Sequence, residues 1–354
     1  MIKYNYKIIG VMSGTSLDGI DLVYVSFECN NIWEFQIHLA ETIPYSSHWK
    51  MVLADLTLRS SEDLYQIDRD YTDYLASVIC DFINRHDIID IDAICSHGHT
   101  ALHQPEKKLT YQIGNLPLLA TLVNKRVVCD FRIQDVILGG QGAPLVPIGD
   151  KFLFSEYDYC INLGGFANIS SEVNNKRIAY DICPVNIVLN HYVKKLGLNY
   201  DDKGQLASKG NLNFDLIEAL NTLSFYEKLP PKSLGLEWVK RYVIPLVDSF
   251  NLEIKDVLRT FVEHIAIQIS KSISEIPNGS VLVTGGGAYN TFLIERVKEL
   301  SGNKIIIPSK EIIEFKEALI FGFLGVLKLR NEINCLKSVT GASKNHSSGK
   351  VFIP

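Results

Sequence analysis

The sequence predicts an α/β protein in two halves, with a ligand cleft between them. Three observations carry that prediction. Strand-like and helix-like segments alternate along the chain. A strand–turn–strand unit at Lys7 to Phe27 finds a weak echo at Tyr159 to Val173, as if one domain had been duplicated. The length of 354 residues is well above the ~150 of a single average domain.

The elements follow in order. Lys7 to Phe27, KIIGVMSGTSLDGIDLVYVSF, has two β-rich runs around a turn that contains Asp18-Gly19, a strong turn dipeptide. Ile32 to Glu41 reads as a further strand. Over Glu62 to His86, the spacing of Leu64, Ile67, Tyr71, Leu75, Val78, Ile79 and Phe82 puts one apolar face on a helix. Ile91 to Ser96 and Arg126 to Asp130 read as short buried strands that end in polar residues. Val136 to Pro147, VILGGQGAPLVP, is Gly- and Pro-rich and is the expected domain crossing. The division expected is 1–145 and 146–331, with the tail 332–354 packing back on the first domain. Helices are expected at Asn186 to Leu196, Lys255 to Ile276, about Asn290 to Leu300 and about Phe315 to Asn331. The strand Val281 to Thr284 runs into Gly285-Gly286-Gly287.

Composition excludes several classes. Apolar residues are 47% and charged residues 21%, a globular balance that argues against disorder. No run approaches ~18 apolar residues, so no membrane partner is expected. The N-terminus has no apolar leader with a cleavage site. A net charge of −5 without a basic run argues against a nucleic-acid partner. The seven cysteines are widely spaced without a CxxC, which points to reduced thiols in a cytoplasmic protein. No metal-binding set is expected. His97, His99 and His103 beyond a strand end could ligate a metal, but no Cys or carboxylate lies beside them to complete a set.

Several segments can carry chemistry. Gly14-Thr15-Ser16-Leu17-Asp18-Gly19 combines flexible backbone with hydroxyl donors, which suits phosphate and suits a polar hairpin turn equally. It is not a Walker loop, because GxxxxGK[ST] is absent. Gly164-Gly165-Phe166-Ala167-Asn168 occupies the matching place in the second hairpin, so the two loops could act as jaws on a polyphosphate. Gly285-Gly286-Gly287 lies between a strand and a helix, where backbone approaches a ligand closely, but GxGxxG spacing is absent. Asp130 and Arg132 follow the strand VVC, either as a ligand clamp or as a structural ion pair. Asp181 could be a general base or a turn residue, and Cys183 beside it lacks an evident His partner. Glu317, placed at the start of the last helix, is in isolation a favourable N-terminal charge.

Taken together, these segments resemble the anhydro-N-acetylmuramic acid kinase family. VMSGTSLDGID, ICSHGHTALHQP, YQIGNLPLLA, VVCDFR, GGQGAPLVP, INLGGFANIS, PPKSLGLEW, TGGGAYN, EALIFGFL and SVTGA follow in the family's order through most of the chain. The resemblance implies a two-domain actin/sugar-kinase/Hsp70-like (ribonuclease H-like) α/β fold. It also implies ATP and Mg²⁺ as cofactors, and a reaction of cell-wall recycling. Water opens 1,6-anhydro-N-acetylmuramic acid at the anomeric carbon, and the freed O6 takes the γ-phosphoryl group. By the same resemblance, Asp181 is the base. Gly14, Thr15, Ser16, Asp18, Gly19, Gly164, Gly165 and Asn168 hold ATP phosphates. Gly285, Gly286, Gly287 and Asn290 hold the adenosine side. His97, Thr100, Asp130, Arg132 and Glu317 bind the sugar, with Arg132 suited to its lactyl carboxylate. A homodimer is the default assembly. Two segments depart from the family: DTGPGN becomes Asp181-Ile182-Cys183-Pro184-Val185-Asn186, and SHGQT becomes SHGHT, so that His99 brings in a titratable ring. A kinase for another saccharide and a silent nucleotide-binding protein are the alternatives.

Overall fold

A computed structural model describes residues 3–14 and 16–354. Thr15, expected to touch phosphate, lies outside the described residues. The chain divides into two compact units, Met1–Leu153 with Phe315–Pro354, and Phe154–Glu314.

The first unit is built on a mixed sheet. β1 (Asn5–Ser13), β2 (Gly19–Asn30) and β3 (Ile32–Pro44) form an antiparallel meander. β4 (Ala93–Gln104) lies parallel to β1, and β6 (Val127–Cys129) parallel to β4. β5 (Leu109–Ile113) folds back on β4, and the tail strand β12 (Lys350–Phe352) closes the edge beside β6. The helix Ser61–Arg85 starts where Ser60 Oγ accepts from Asp63 N–H at 3.1 Å. Its buried stripe, Leu64, Tyr71, Leu75, Ile79 and Phe82, packs with Ile9, Val11, Ile20 and Leu22 of the sheet. The helix Lys310–Leu329 presses so closely on β1 that a Cβ on Gly10 would lie 2.1 Å from Ala318 O.

The second unit repeats the plan. β7 (Tyr159–Leu163), β8 (Phe166–Val173) and β9 (Lys176–Pro184) form the meander. β10 (Ser280–Thr284) is parallel to β7, and β11 (Lys304–Ile306) to β10. The helix Ile254–Ser272 buries Val257, Leu258, Phe261, Val262, Ile265 and Ile269. The strand orders β3–β2–β1–β4–β6 and β9–β8–β7–β10–β11 are the same sequence of antiparallel and parallel neighbours. That is the ribonuclease H-like sheet of the actin/sugar-kinase class, present twice, so the echo in the sequence is a duplicated topology.

Three expectations are corrected. His97, His99 and His103 do not lie beyond a strand end but inside β4, because β5 pairs with its polar half. Asp181 is not a turn residue; it sits in β9, its N–H bonded to Lys232 O at 3.0 Å. Glu317 does not open its helix, which begins at Lys310. The sequence Ser309-Lys310-Glu311-Ile312 already turns helically, with Ile313 N–H donating to Ser309 O at 3.0 Å, so the helix-terminus reading of Glu317 lapses.

Candidate active site

In the first unit the site grows from the ends of β4 and β6. Asp130 leaves β6 with φ +58°, and two residues on Arg132 starts the short helix Ile133–Ile137. Arg132 Nε donates to His97 Nε2 at 2.8 Å, and Nη1 donates to Gly142 O at 2.6 Å. His97 Nδ1 lies 2.8 Å from its neighbour's carbonyl, Gly98 O, so it carries the proton and leaves Nε2 as the acceptor. Burial first, then the Arg132 cation, hold His97 well below the usual imidazole range. His97 is therefore a neutral brace that fixes the guanidinium plane. Burial lowers Arg132 to about 10, with Glu317 pulling it back up, so the guanidinium stays charged near neutrality. Glu317 is open to solvent, yet the protein packed around its carboxyl raises its pKa against the pull of Arg132 and Lys316. Lys316 itself is committed to Asp150 at 2.7 Å.

The other sugar-side candidates are placed as follows. Thr100 is half-buried in β4 and takes a long hydrogen bond of 3.4 Å from Gln112 Nε2. Asp130 pairs with Lys350 Nζ at 2.8 Å, which gives its carboxylate a partner on β12. His99 is buried, and its Nδ1 meets Ser13 Oγ at 2.8 Å. Ser13 also meets Tyr45 OH at 2.5 Å and Tyr71 OH at 2.8 Å. Burial lowers His99 to about 4, so the ring is neutral near pH 7 and brings no titration there. The pH sensitivity expected of SHGHT is thus corrected: desolvation outweighs the ring's intrinsic basicity.

The β1–β2 turn carries Gly14, Ser16 and Asp18, of which Ser16 and Asp18 are exposed. Gly19 lies in β2, where a Cβ would stand 2.4 Å from Ile43 O, so its smallness serves strand pairing.

In the second unit, Asp181 Oδ2 accepts from Leu234 N–H at 2.8 Å. Oδ1 makes no hydrogen bond among the described residues. Burial raises the carboxyl, and the Leu234 N–H partly offsets this. Asn168 stands directly opposite Asp181, Asn162 opposite Asn168, and Thr284 opposite Asn162. Residues directly opposite share a face, so the four form one polar row across β10, β7, β8 and β9. Neither Asn162 nor the Leu234 N–H is singled out by the sequence; INLGGFANIS and PPKSLGLEW contain them only as parts of the resemblance.

The hairpin glycines hold the next helix. Gly164 O accepts from Asn186 N–H at 3.3 Å, and Gly165 O from Val185 and Ile187 N–H at 2.8 and 3.2 Å. Those carbonyls satisfy the first turn of the helix Asn186–Lys194. Gly285, at φ +79°, is obligatory: a Cβ would sit 2.5 Å from Asn162 Oδ1. Nothing within 4 Å would meet a Cβ on Gly286, which leaves that backbone open. Asn290 Oδ1 caps the helix Thr291–Ser301 by accepting from Leu293 N–H at 3.0 Å.

None of the altered residues in DICPVN has a positive φ. Ile182 and Cys183 continue β9, and Val185 has φ −128°, so none of them needs the left-handed backbone that favours glycine. Cys183 is fully buried and burial raises its thiol far above the usual range, which excludes a thiolate nucleophile.

The chain matches the family model described as anhydro-N-acetylmuramic acid kinase over residues 6–354. It is 32% identical to the anhydro-N-acetylmuramic acid kinase of Zymomonas mobilis, covering 97% of this chain and 98% of the relative. It is also 32% identical to that of Sulfurovum sp., covering 98% and 99%. Among solved structures it resembles a ligand-bound xylulose kinase from Lactobacillus acidophilus, with a TM-score of 0.46 and 11% identity over 99% of this chain and 94% of that one.

Proposed function

This chain belongs to the anhydro-N-acetylmuramic acid kinase family, and from that premise we propose that Asp181 is the base that drives water onto the anhydro sugar. The reaction consumes 1,6-anhydro-N-acetylmuramic acid, water and ATP. It gives N-acetylmuramic acid 6-phosphate and ADP. The enzyme is a phosphotransferase of cell-wall recycling.

The observation that carries this reading is the state of one carboxylate. Asp181 Oδ2 is anchored by the Leu234 N–H at 2.8 Å, which leaves Oδ1 to accept a proton. Burial raises its pKa, which makes its carboxylate a stronger base than a solvated aspartate. Oδ1 takes a proton from water as the water oxygen bonds to C1. The C1–O6 bond breaks away from that face, as in an inverting glycosidase. O6 keeps the electron pair and bonds to the γ-phosphorus, so no separate acid is required. Asn168, opposite Asp181 on the same face, suits holding the water or a sugar hydroxyl.

Arg132 supplies the anion-binding part. His97 and Gly142 O take up Nε and Nη1, so the guanidinium is fixed before substrate arrives, and its remaining N–H groups suit the lactyl carboxylate. Glu317 and Thr100 suit the sugar hydroxyls. For ATP, the open backbone at Gly286 suits the adenosine side, and Gly14, Ser16 and Asp18 the phosphates. Mg²⁺ would neutralise charge on the phosphates. Exposed Asp18, a hard oxygen donor, fits an ion that keeps most of its waters.

The test is one reaction in ¹⁸O-labelled water with ATP, Mg²⁺ and the anhydro sugar, read by mass spectrometry. The expected product is N-acetylmuramic acid 6-phosphate with label at C1. Absence of sugar-dependent ADP from folded protein rejects this substrate, in favour of another saccharide or a silent nucleotide binder. Label-free 6-phosphate rejects the coupled opening.

A further inference from the structure

We propose that Asp135, Cys335 and His346 form a binding site for one zinc-type divalent cation, which clips the C-terminal segment to the loop that holds Arg132. The three donor atoms lie within 4.8 Å of one another, and all three residues are buried. They come from the short helix after Arg132 and from two points of the tail, and no reading of the kinase reaction uses them.

The geometry around Asp135 is that of a prepared ligand set. Asp135 Oδ1 accepts from the Cys335 thiol at 3.0 Å, the proton that a metal would displace, and lies 3.6 Å from His346 Nε2. Donors about 2.0–2.3 Å from a tetrahedral zinc stand roughly 3.3–3.8 Å apart. Shifts of a few tenths of an ångström for those two pairs, and up to about 1 Å for sulfur against nitrogen, would close the set. Carboxylate, thiolate and imidazole together suit zinc and not magnesium, which prefers oxygen alone.

The independent observation is His346 itself. The ring is 5% exposed, and Nε2 is buried without a hydrogen-bond partner among the described residues. Nδ1 lies 3.1 Å from Lys344 O, an acceptor only, so Nδ1 carries the ring proton. A bare nitrogen lone pair then faces a carboxylate oxygen at 3.6 Å. Two lone pairs held together in a dry interior are unfavourable unless a cation stands between them. A backbone carbonyl that fixes the tautomer of a ligating histidine is the usual outer support of a metal site.

The carboxylate is supported in the same way. Asp135 Oδ2 accepts from Gly142 N–H at 2.7 Å, and a Cβ on Gly140 would come within 2.2 Å of it, so the loop has cleared room for this oxygen. Thr340 Oγ1 donates to Oδ1 at 2.7 Å. On binding, Cys335 Sγ loses its proton to solvent and forms the metal–sulfur bond, and His346 Nε2 donates its lone pair. One dication, one thiolate and one carboxylate sum to zero, so the buried site carries no net charge. Gly142 bridges onward, its carbonyl accepting from Arg132.

The experiment uses the full chain, freed of metal by a chelator and then titrated with Co²⁺ followed by Zn²⁺. The expected result is one Co²⁺ per chain, with a thiolate-to-cobalt charge-transfer band and intense tetrahedral bands that Zn²⁺ bleaches. Cys335→Ser should lose the charge-transfer band. His346→Gln should weaken binding at least tenfold while keeping the thiolate signal at high Co²⁺. Folding of each variant is checked by circular dichroism, and if Cys335→Ser does not fold, the His346→Gln titration decides. A folded wild-type chain that binds Co²⁺ without a thiolate band, or not at all, overturns the proposal. A band that survives Cys335→Ser overturns it too, by placing the metal on another cysteine.

Discussion

Replacing Asp181 by Asn separates geometry from basicity. The amide oxygen of Asn can take the 2.8 Å hydrogen bond from the Leu234 N–H, so the side chain keeps its place. The amide nitrogen then stands where Oδ1 stood, a donor without a basic lone pair. Loss of a positioned general base costs about 10²–10⁴-fold in rate, so kcat should fall by about that factor while the KM values for ATP and sugar stay within a few-fold. Stability should move the other way. The folded pKa of Asp181 is raised by burial, so the ionised form is penalised in the folded state. Its contribution to stability is therefore fully present below the unfolded pKa and is lost as pH rises through the folded pKa. Asn carries no such penalty, so the variant should melt higher than wild type at pH 7, and the difference should vanish in acid. Sugar-dependent ADP release with a coupled assay, and melting from pH 3 to 8, measure both effects. A variant that binds both substrates and keeps full turnover would refute Asp181 as the base. A variant that melts lower at pH 7 would refute the desolvation argument.

Three further outcomes are expected. Arg132→Lys keeps the charge but loses the Nε bond to His97 and the planar fork, so KM for the sugar should rise about tenfold or more with ATP binding unchanged; equal effects on both substrates would count against a sugar-carboxylate contact. His99→Gln should leave the activity profile between pH 6 and 8 unaltered, because His99 is already neutral with its pKa lowered to about 4; a shifted limb in that range would show that His99 titrates with substrate bound. Gly285→Ala, at φ +79° and facing Asn162 Oδ1 at 2.5 Å, should cost more than ~1 kcal/mol of stability and weaken ATP binding; an unchanged melting temperature would show that the turn is not constrained as described.

The sequence by itself determined the local elements and the reaction class. The apolar spacing of Leu64 to Phe82 settles a helix wherever it packs, and strand pairs around Asp18-Gly19 and Gly164-Gly165 settle two hairpins. The ordered motifs determined the family, and from it come the proposed roles of Asp181 and Arg132. Tertiary structure decided which polar groups are committed elsewhere. Asp130 faces Lys350, 220 positions further on, and His97 braces Arg132, 35 positions on. Neither pairing has a local signal, because contact between distant segments is set by strand order and not by spacing. The same holds for Asn162 beside Asn168 and Asp181, which only the register of β7, β8 and β9 aligns. The altered DICPVN segment could be judged only once Val185 was seen at φ −128°. Asp135, Cys335 and His346 read as three unrelated residues along the chain, with 200 positions between the first two. Folding of the tail onto the first unit makes them neighbours, since an interior excludes water and forces buried polar groups to find one another.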